Sequence, residues 1–350
     1  MSEQVRAALA AIIEGRTLDL DEARRAMGEV MDGGATPAQL AAFLVALRMR
    51  GETVDELAGF ATAMRERVVR VEAPDGAIDV VGTGGDGSGT FNISTTSALV
   101  VAAAGVPVAK HGNRAITSRS GAADVLEALG IRVDHDALSA ASDLRLFGFA
   151  FLFAPTFHPA MRHAGPTRRE IGVRTAFNLL GPLTNPAGAR RALIGVGDAS
   201  AAPRIAEVAR RLGTDRTLVV HGAGVDEIPL DGSGVILDVT ADGIREMRVD
   251  PGSLGLQAAA TSELRGGSAE DNAAITINIL EGRGEARRDV VLLNAGAAFV
   301  AAGRVRELRS GIVLAAETID AGTARQLLER LRAAKLASDA TRAADAETRT

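Results

Sequence analysis

The strongest constraint on the fold is an alternation that begins at Ala77, where short apolar runs, most of them closed by glycine, alternate with helical stretches. The helical stretches include residues 97–104, 122–129 and 201–212. The apolar runs are AIDVVG, VPVAKHG, IRV, FLFAP, ALIGVG and TLVVHG. Strands separated by helices are typical of a parallel sheet with helices on its faces. We therefore expect an α/β fold with a mainly parallel central sheet and a ligand site at the carboxyl ends of its strands.

Residues 1–72 show a different pattern, in which apolar residues recur at helical spacing. Three of the helices have start signals of the capping-box type, where a polar residue precedes Glu or Gln by three positions. These signals are Asp19 with Glu22, Thr36 with Gln39, and Thr53 with Glu56. The pattern predicts a small helical N-terminal domain, whose apolar stripes form a core or a dimer contact.

A segment rich in Pro, Gly, Arg and Asn interrupts the alternation at residues 155–186. We interpret it as an excursion that leaves the sheet, joins the helical layer and returns. The predicted division is therefore a helical domain of residues 1–72 completed by 158–186, and an α/β domain of residues 73–157 and 187–340. Residues 341–350 are polar, and we expect them to be a frayed tail.

The composition excludes several classes of protein. The 350 residues include no Cys, which excludes disulfides, thiolate metal sites and cysteine nucleophiles. A net charge of -5 and the absence of Trp and Tyr argue against a nucleic-acid partner. The apolar run at 98–109 is too short to cross a bilayer, and the N-terminal segment lacks the features of a signal peptide. We expect a soluble, cytoplasmic protein without a membrane partner.

The glycine-rich segment VVGTGGDG, which ends at Gly87, has two functional interpretations, beside the simpler one that its glycines only make a tight turn. It matches the dinucleotide pattern G-x-G-x-x-G, but a helix does not open directly on the glycines, and the expected acid about 20 residues later is missing. The second interpretation is a phosphate cradle, because glycines let backbone N–H groups approach an anion and a helix with Ser and Thr at its start follows. The sequence favours the second.

A basic loop, VAKHGNRAITSRSGAAD, follows the next predicted strand. Acids make up 44 of the 350 residues, yet residues 87–123 contain none. Lys110, Arg114 and Arg119 give this loop three fixed positive charges, and Thr117 and Ser118 add hydroxyl donors. Together the two loops suit a ligand with several phosphates.

Four blocks stand in order along the chain: GTGGDGSGTFNIST, KHGNRAITSRSGAAD, FHPAMRHAGPTRREIGVRTAFNLLGPLTNP and HGAGVDEI. With these blocks, and over nearly its whole length, the chain resembles the anthranilate phosphoribosyltransferases. These enzymes join anthranilate to phosphoribosyl pyrophosphate (PRPP) and release pyrophosphate, the second step of tryptophan synthesis from chorismate. The resemblance implies the architecture shared with nucleoside phosphorylases, a cleft between two domains, two Mg²⁺ ions per active site and a homodimer formed through the helical domains.

The resemblance also assigns roles to residues. For PRPP it implies Gly82, Thr83, Gly84, Gly85, Asp86, Thr90, Asn92, Ile93, Ser94, Thr95, Lys110, His111, Gly112, Asn113, Arg114, Ala115, Ile116, Thr117, Ser118 and Ala122. For anthranilate it implies Gly82, His111, Asn113, His158, Arg168, Gly181 and Pro182, and for the metal Ser94, Asp226 and Glu227. Ala122 is a departure, because the family often has Ser there, and Ala cannot supply the phosphate hydrogen bond of that hydroxyl.

The chemistry fits these residues. Asp226 and Glu227 follow a predicted strand, a suitable place for Mg²⁺ carboxylates. The aromatic amine of anthranilate is neutral at pH 7, so no dedicated general base is required, and Asn113 and Arg168 would act by positioning. The anthranilate carboxylate calls for an Arg, and the resemblance selects Arg168 from four candidates. The candidates are Arg162, Arg168, Arg169 and Arg174.

Two other functions stay open at this point. A pyrimidine nucleoside phosphorylase has a related architecture but would use free phosphate and a nucleobase; the KHGNR and FNLLGPLTNP blocks argue against it. A non-catalytic, nucleotide-binding paralogue would keep the fold without the reaction. Asp226, Glu227, Asn113 and Arg168 argue against that loss.

Overall fold

The structure is a computed structural model that describes residues 2–115 and 119–347. Its strands are β1 (Ile78–Gly82), β2 (Val108–Gly112), β3 (Phe149–Phe153), β4 (Arg191–Gly195), β5 (Arg216–His221), β6 (Val235–Thr240) and β7 (Gly243–Arg248). Its helices are α1 (Glu3–Ile13), α2 (Leu20–Met31), α3 (Pro37–Arg50), α4 (Val54–Arg65), α5 (Ile93–Ala103), α6 (Ala122–Ala128), α7 (Ala137–Phe147), α8 (Ala154–Phe157), α9 (Gly165–Ile171), α10 (Phe177–Leu180), α11 (Ala202–Arg211), α12 (Ala269–Leu280), α13 (Glu285–Ala301), α14 (Leu308–Asp320) and α15 (Thr323–Glu347).

One sheet of the described residues contains these strands in the order β3-β2-β1-β4-β5-β6-β7. The first five strands in sequence pair in parallel, whereas β6 is antiparallel to both β5 and β7. The expected α/β fold with a mainly parallel sheet is confirmed. The carboxyl ends of β1, β2, β4 and β5 lie at one edge, because parallel strands share a direction.

Helices α2, α3 and α4 begin at the three predicted capping boxes. Asp19, for example, accepts a hydrogen bond from the backbone of Glu22 at 2.8 Å, and Glu22 in turn accepts one from the backbone of Asp19 at 3.0 Å. Each box satisfies two N–H groups that a helix start would otherwise leave unpaired. The helical character of the N-terminal region is therefore set locally.

Two expectations differ from the structure. The run IRV at 131–133 is not a strand: it follows the turn at Gly130 and buries Ile131 and Val133 in the core without pairing. The tail is not frayed as far as Glu347, because α15 continues to that residue. Residues 348–350 lie outside the described residues. No helix in the described part of the chain is long and apolar enough to cross a membrane.

The helical region packs on one face of the sheet and shares a core with it. This core joins apolar side chains of α1 to α4 to Val81 and Ile194 on the sheet and to α11. The excursion contributes to the same core through Ala164, Phe177 and Leu180. The opposite face of the sheet is covered by α5, α12, α13 and α14 in a second core. The domain boundaries at 72 and 158–186 stay a prediction, since the core is continuous across them.

Gly59 shows how closely the helices of this region approach. A Cβ atom at Gly59 in α4 would lie 2.4 Å from the carbonyl oxygen of Leu20 and 2.8 Å from the Cβ atom of Ala23. The backbone of Leu20 cannot move aside as the end of a flexible side chain can. We therefore expect Gly59→Ala to lower the unfolding free energy by about 2–3 kcal/mol. Thermal unfolding should show a Tm lower by roughly 5 °C.

Gly28→Ala in α2 is the matched control for Gly59→Ala. A Cβ atom there would meet only the guanidinium of Arg67, at 3.0 Å from Nη2. That flexible side chain can move, and alanine favours a helix over glycine by up to about 1 kcal/mol. We expect an unchanged or slightly higher Tm. Equal losses of stability in the two variants would contradict a close α2–α4 approach.

Candidate functional site

The two loops that the sequence singled out, together with the turn after β5, meet at the carboxyl edge of the sheet. The backbone N–H of Gly84 donates to Oδ2 of Asp226 at 2.7 Å, and the N–H of Asp226 donates to Oδ2 of Asp86 at 3.2 Å. The paired strands β1 and β4 end in Gly82 and Gly195. Cβ atoms there would lie 2.2 Å from Oδ2 and 1.6 Å from the carbonyl oxygen of Asp226. The absence of a side chain at Gly82 and Gly195 therefore leaves room for Asp226.

The side chain of Glu227 contacts the start of α5 and lies near Lys110 of strand β2. Its Oε1 accepts a hydrogen bond from the backbone N–H of Ser94 at 2.9 Å, at the positive end of the helix. Lys110 is buried below, where its ammonium donates to the carbonyl of Val80 and, at 3.4 Å, to the hydroxyl of Ser94. The predicted metal ligands thus lie together, because Glu227 accepts from the backbone N–H of Ser94 and Asp226 directly precedes Glu227 in the chain.

Burial and like charge raise the pKa of both carboxyls of this segment. Burial raises the pKa of Asp226 to about 7, and the nearby Asp86 carboxylate adds to the effect. Burial, followed by the charge of Asp226, raises the pKa of Glu227 well above its usual value, although Lys110 opposes this. Two buried acids with a surplus of negative charge favour a divalent cation as their partner.

The donor set fits Mg²⁺, because two carboxylates and a hydroxyl are the hard oxygen ligands that it prefers. Within residues 2–115 and 119–347, however, no three His, Asp or Glu side chains converge closely enough to hold a metal ion by themselves. Mg²⁺ is usually bound through one or two carboxylates together with substrate phosphates and water. Ser94, Asp226 and Glu227 are therefore sufficient only when a phosphorylated ligand shares the ion.

Two buried hydrogen-bond networks hold the backbone near Glu227 and at His111, and the side chains that form them were not among the predicted site residues. Asn294 in α13 accepts from the backbone N–H of Ile228 and donates to its carbonyl, both at 3.0 Å, and so fixes the residue after Glu227. Asp79 in β1 accepts from the backbone N–H of His111 at 3.1 Å and from Nδ2 of Asn185 at 2.7 Å. Asn185 lies in the TNP turn, where an Asn before Pro was the available signal.

His111 and His158, which the resemblance assigns to anthranilate, lie together, and their ring centroids are 5.0 Å apart. Nδ1 of His111 lies 3.1 Å from the carbonyl oxygen of Gly181, which adjoins the buried Pro182. The Nε2 atoms of both rings are buried and have no hydrogen-bond partner among the described residues. Burial lowers the pKa of His111 to about 3 and that of His158 to about 4, so both imidazoles are neutral at pH 7.

Arg168 supplies a cation on the excursion, in helix α9. Its guanidinium lies over the ring of Phe177, 4.8 Å from the centroid, and burial lowers its pKa. Among the described residues it has no carboxylate partner. The other Arg candidates differ from it: Arg162 and Arg169 are exposed, and Arg174 bonds to the carbonyls of Gly84 and Gly85. Arg168 is the half-buried cation that is free to pair with an anion.

Some predicted PRPP residues are engaged elsewhere in the structure. Arg114 pairs with Asp124 and Glu127 at 3.0 and 2.6 Å, and this contact turns it towards α6. Asn92 bonds to Asn272 at 2.9 Å, and Asn113 accepts from the backbone N–H of Arg114. Ile116, Thr117 and Ser118 lie outside the described residues. Roles for all of these residues stay predictions.

The remaining members of the predicted set line the two loops. The hydroxyl of Thr90 lies 3.2 Å from that of Ser88, while Thr95 is buried and its hydroxyl has no partner among the described residues. Ala122 opens α6 and packs close to Gly112, since a Cβ atom at Gly112 would lie 3.4 Å from its methyl group. The backbone N–H of Thr83 donates to the carbonyl of Gly195, that of Ala115 donates to Oδ2 of Asp124, and Ile93 is buried.

The two neutral imidazoles predict sensitivity to acid. A group whose pKa is lower in the folded state stabilises the fold above its unfolded pKa, and that stability is lost as the pH falls. For His158, the window runs from about 6.5 to about 4, which amounts to about 2 kcal/mol at pH 5. Urea unfolding at pH 7.5 and at pH 5.0 gives the unfolding free energy that each protein loses between the two values. We expect this loss to be smaller by about 2 kcal/mol in His158→Gln than in the unsubstituted protein.

Raised carboxyl pKa values act in the opposite direction but are common to both proteins, so the difference between them isolates His158. Parallel curves for the two proteins between pH 7.5 and 5.0 would contradict a buried, neutral His158.

Known proteins resemble the chain along both of its regions. Residues 6–68 match the helical bundle domain of a glycosyl transferase family, and residues 74–325 match the a/b domain of that family. The anthranilate phosphoribosyltransferase of Symbiobacterium thermophilum is 52% identical over 330 residues, which are 94% of this chain and 97% of that protein.

Solved structures agree with the sequence comparison. The anthranilate phosphoribosyltransferase of Thermus thermophilus has a TM-score of 0.89 and 46% identity, over 93% of this chain and 98% of its own. The enzyme of Saccharomyces cerevisiae, in complex with PRPP and Mg, has a TM-score of 0.87 and 27% identity, over 96% of this chain and 99% of its own. The likeness thus includes the sheet edge described above.

Proposed function

Because the chain belongs to the anthranilate phosphoribosyltransferase family, we propose a division of roles among its residues for the reaction of that family. The reaction transfers the 5-phosphoribosyl group of PRPP to the amine of anthranilate and gives N-(5-phosphoribosyl)anthranilate and pyrophosphate. It is a pentosyl transfer and a step of tryptophan biosynthesis. Neither the nucleoside phosphorylase nor the non-catalytic paralogue is favoured.

The donor side would bind PRPP through the glycine loop and the start of α5. The backbone N–H groups of Gly85 and Asp86 have no partner among the described residues and can donate to phosphate oxygens. The hydroxyl of Thr95 is likewise unpartnered in the described part of the chain. Lys110 brings a positive charge to the floor of the site. Arg114 would have to leave Asp124 and Glu127 in order to reach a phosphate.

Ser94, Asp226 and Glu227 would hold Mg²⁺, and we propose two ions per site. Bound there with the pyrophosphate, Mg²⁺ would supply charge neutralisation for the leaving group. Asn294 and the N–H of Ser94 keep the carboxylates in place before the ligand arrives, so little reorganisation is needed.

Arg168 would bind the carboxylate of anthranilate, with the ring of the substrate beside His111 and His158. Two uncharged imidazoles suit an aromatic ring and a neutral amine better than imidazolium would, because a cation would compete with Arg168 for the carboxylate. The amine needs no base to remove a proton before it attacks, and orientation supplies the main advantage. Asn113 and Arg168 would act as positioning groups.

We also propose a homodimer in the cytoplasm. Large apolar side chains are exposed on helices α1 and α3, namely Ile13, Val45 and Met49. Exposed apolar side chains grouped on helices favour burial against a second copy. Light scattering coupled to size-exclusion chromatography would give about twice the mass of the chain for a dimer, and the mass of one chain would contradict it.

The observation that carries the assignment of roles is the connection of Asp226 to the glycine loop and of Glu227 to the start of α5. Anthranilate fluorescence tests the reaction directly, because the chain has no Trp to interfere. We expect fluorescence to fall only when protein, PRPP and Mg²⁺ are all present, and EDTA to stop it. Phosphorolysis of thymidine or uridine without loss of anthranilate would overturn the assignment.

A further inference from the structure

Arg174 makes an unusual contact for an exposed arginine. Its Nη1 donates to the carbonyl oxygen of Gly84 at 2.7 Å and to that of Gly85 at 2.8 Å. In residues 2–115 and 119–347 it has no carboxylate within ion-pair distance. The guanidinium of Arg174 therefore bonds to main-chain carbonyls, and these belong to two glycines of the glycine loop.

The contact fixes the direction of two amide donors. The peptide bonds of the loop are trans, and in a trans peptide the C=O of one residue and the N–H of the next point in opposite directions. With the carbonyls of Gly84 and Gly85 directed at Arg174, the N–H groups of Gly85 and Asp86 point away from it. Gly84 and Gly85 have φ of 65° and 64°, a conformation that glycine adopts at little cost. Consecutive N–H groups in such a turn form an anion-binding concavity.

Arg174 itself lies in a well-anchored piece of chain. Before it, the N–H of Gly172 bonds to the carbonyl of Arg168 and ends α9. After it, the N–H of Thr175 donates to Oδ1 of Asn178 at 2.9 Å, and Phe177 is buried under Arg168. The segment that presents Arg174 to the donor loop therefore also carries the cation proposed for the acceptor.

We propose that Arg174 is a positioning residue for the pyrophosphate of PRPP, acting through the main chain of the glycine loop. Its guanidinium bonds to the carbonyls of Gly84 and Gly85 from the acceptor side of the cleft. These bonds direct the amide N–H groups of Gly85 and Asp86 at the anion. The inference rests on the proposed function, because it takes PRPP as the ligand of the loop. It assigns Arg174 to the donor, whereas the sequence left it among four candidates for the acceptor carboxylate.

The test compares Arg174→Ala with the unsubstituted protein by two measurements. Isothermal titration with PRPP and Mg²⁺ gives the Kd, which we expect to rise about 10-fold or more, because charged hydrogen bonds order the donors. NMR of protein labelled with ¹⁵N-glycine reports the amides of Gly84 and Gly85 without ligand, and we expect these signals to shift or broaden. The KM for anthranilate at saturating PRPP should change less than about threefold, because Arg174 does not touch the acceptor.

Two variants provide the controls. Arg174→Lys keeps a cationic donor and should recover part of the PRPP affinity. Arg25→Ala removes the same charge from an exposed position of α2 and should leave both readouts unchanged. An unchanged Kd in Arg174→Ala overturns the proposal. A raised Kd with unchanged glycine signals in the ligand-free protein also overturns it, since Arg174 would then touch PRPP itself. If the unsubstituted protein binds no PRPP, the proposed function fails instead.

Discussion

Arg168→Ala should lower kcat/KM for anthranilate by about 10²- to 10³-fold, the cost of truncating one partner of a desolvated charge pair. The half-buried guanidinium lies on the ring of Phe177 and has no carboxylate partner among the described residues, so its strongest interaction awaits the substrate. The KM for PRPP should stay within about threefold, because in the described part of the chain no hydrogen bond or ion pair joins Arg168 to the glycine loop. Steady-state kinetics with each substrate varied in turn gives both values.

Arg169→Ala is the matched control, since it removes the same group from the next residue, which is exposed. Arg168→Lys should recover only part of the loss, because Lys keeps the charge but not the bidentate geometry. On the substrate side, the methyl ester of anthranilate should react equally poorly with the unsubstituted protein and with Arg168→Ala. A larger loss in Arg169→Ala than in Arg168→Ala would contradict the assignment.

Asp226→Asn should reduce kcat by about 10²- to 10³-fold, a loss typical for removal of one electrostatic stabiliser of the leaving group. The same variant should stabilise the ligand-free protein. Burial and Asp86 raise the pKa of Asp226 to about 7, so above that pH the folded state carries an ionised carboxylate that the unfolded chain holds at lower cost. The neutral amide avoids this cost and still accepts from the N–H of Gly84.

The pH dependence follows from the sign of the shift. An acid whose pKa is raised on folding loses stability as the pH rises from its unfolded to its folded value. We therefore expect Asp226→Asn to have a higher unfolding free energy than the unsubstituted protein by about 2–4 kcal/mol at pH 8, and the gap to shrink towards pH 5. Urea unfolding in the presence of EDTA measures this difference in unfolding free energy. With Mg²⁺ and PRPP added, the unsubstituted protein should become the more stable of the two.

Asp231→Asn is the control, because Asp231 is an exposed acid farther along the same loop. It should leave both kcat and unfolding unchanged. A destabilised Asp226→Asn at pH 8, or one that retains full activity at low Mg²⁺ concentration, would contradict the role of Asp226.

The sequence predicted the parts of the fold that local patterns determine. Capping boxes and glycine-closed apolar runs are short-range signals, and the structure has helices at Asp19, Thr36 and Thr53 and strands within five of the six runs. The run at 131–133 failed because buried apolar residues need not pair with a neighbouring strand. Strands β6 and β7 were both missed. Most side chains of β7 are exposed, which leaves no apolar alternation to detect, whereas β6 is buried and its apolar run was not recognised.

The site was predicted as a set of residues but not as a set of contacts. The absence of acids in 87–123 suggested a free Arg114, yet Asp124 and Glu127 on the first turns of α6 lie within reach of it. Arg174 could not be placed from sequence, because main-chain carbonyls carry no residue signature. Asp79 and Asn294 were passed over because their partners lie far away in the chain. Asn294 bonds to the backbone of Ile228, and Asp79 bonds to the backbone of His111 and the side chain of Asn185.

The core shared by the helical region and the sheet has a consequence for the way the chain is made. Apolar faces of α1 to α4 leave the ribosome well before Phe177 and Leu180 of the excursion, and before β5 with Val219. At about 5–20 residues per second, the wait for roughly 100 further residues lasts about 5–20 seconds. During that time the nascent N-terminal helices expose apolar surface that later residues cover. We therefore expect chains truncated before the excursion to aggregate more readily than the full chain.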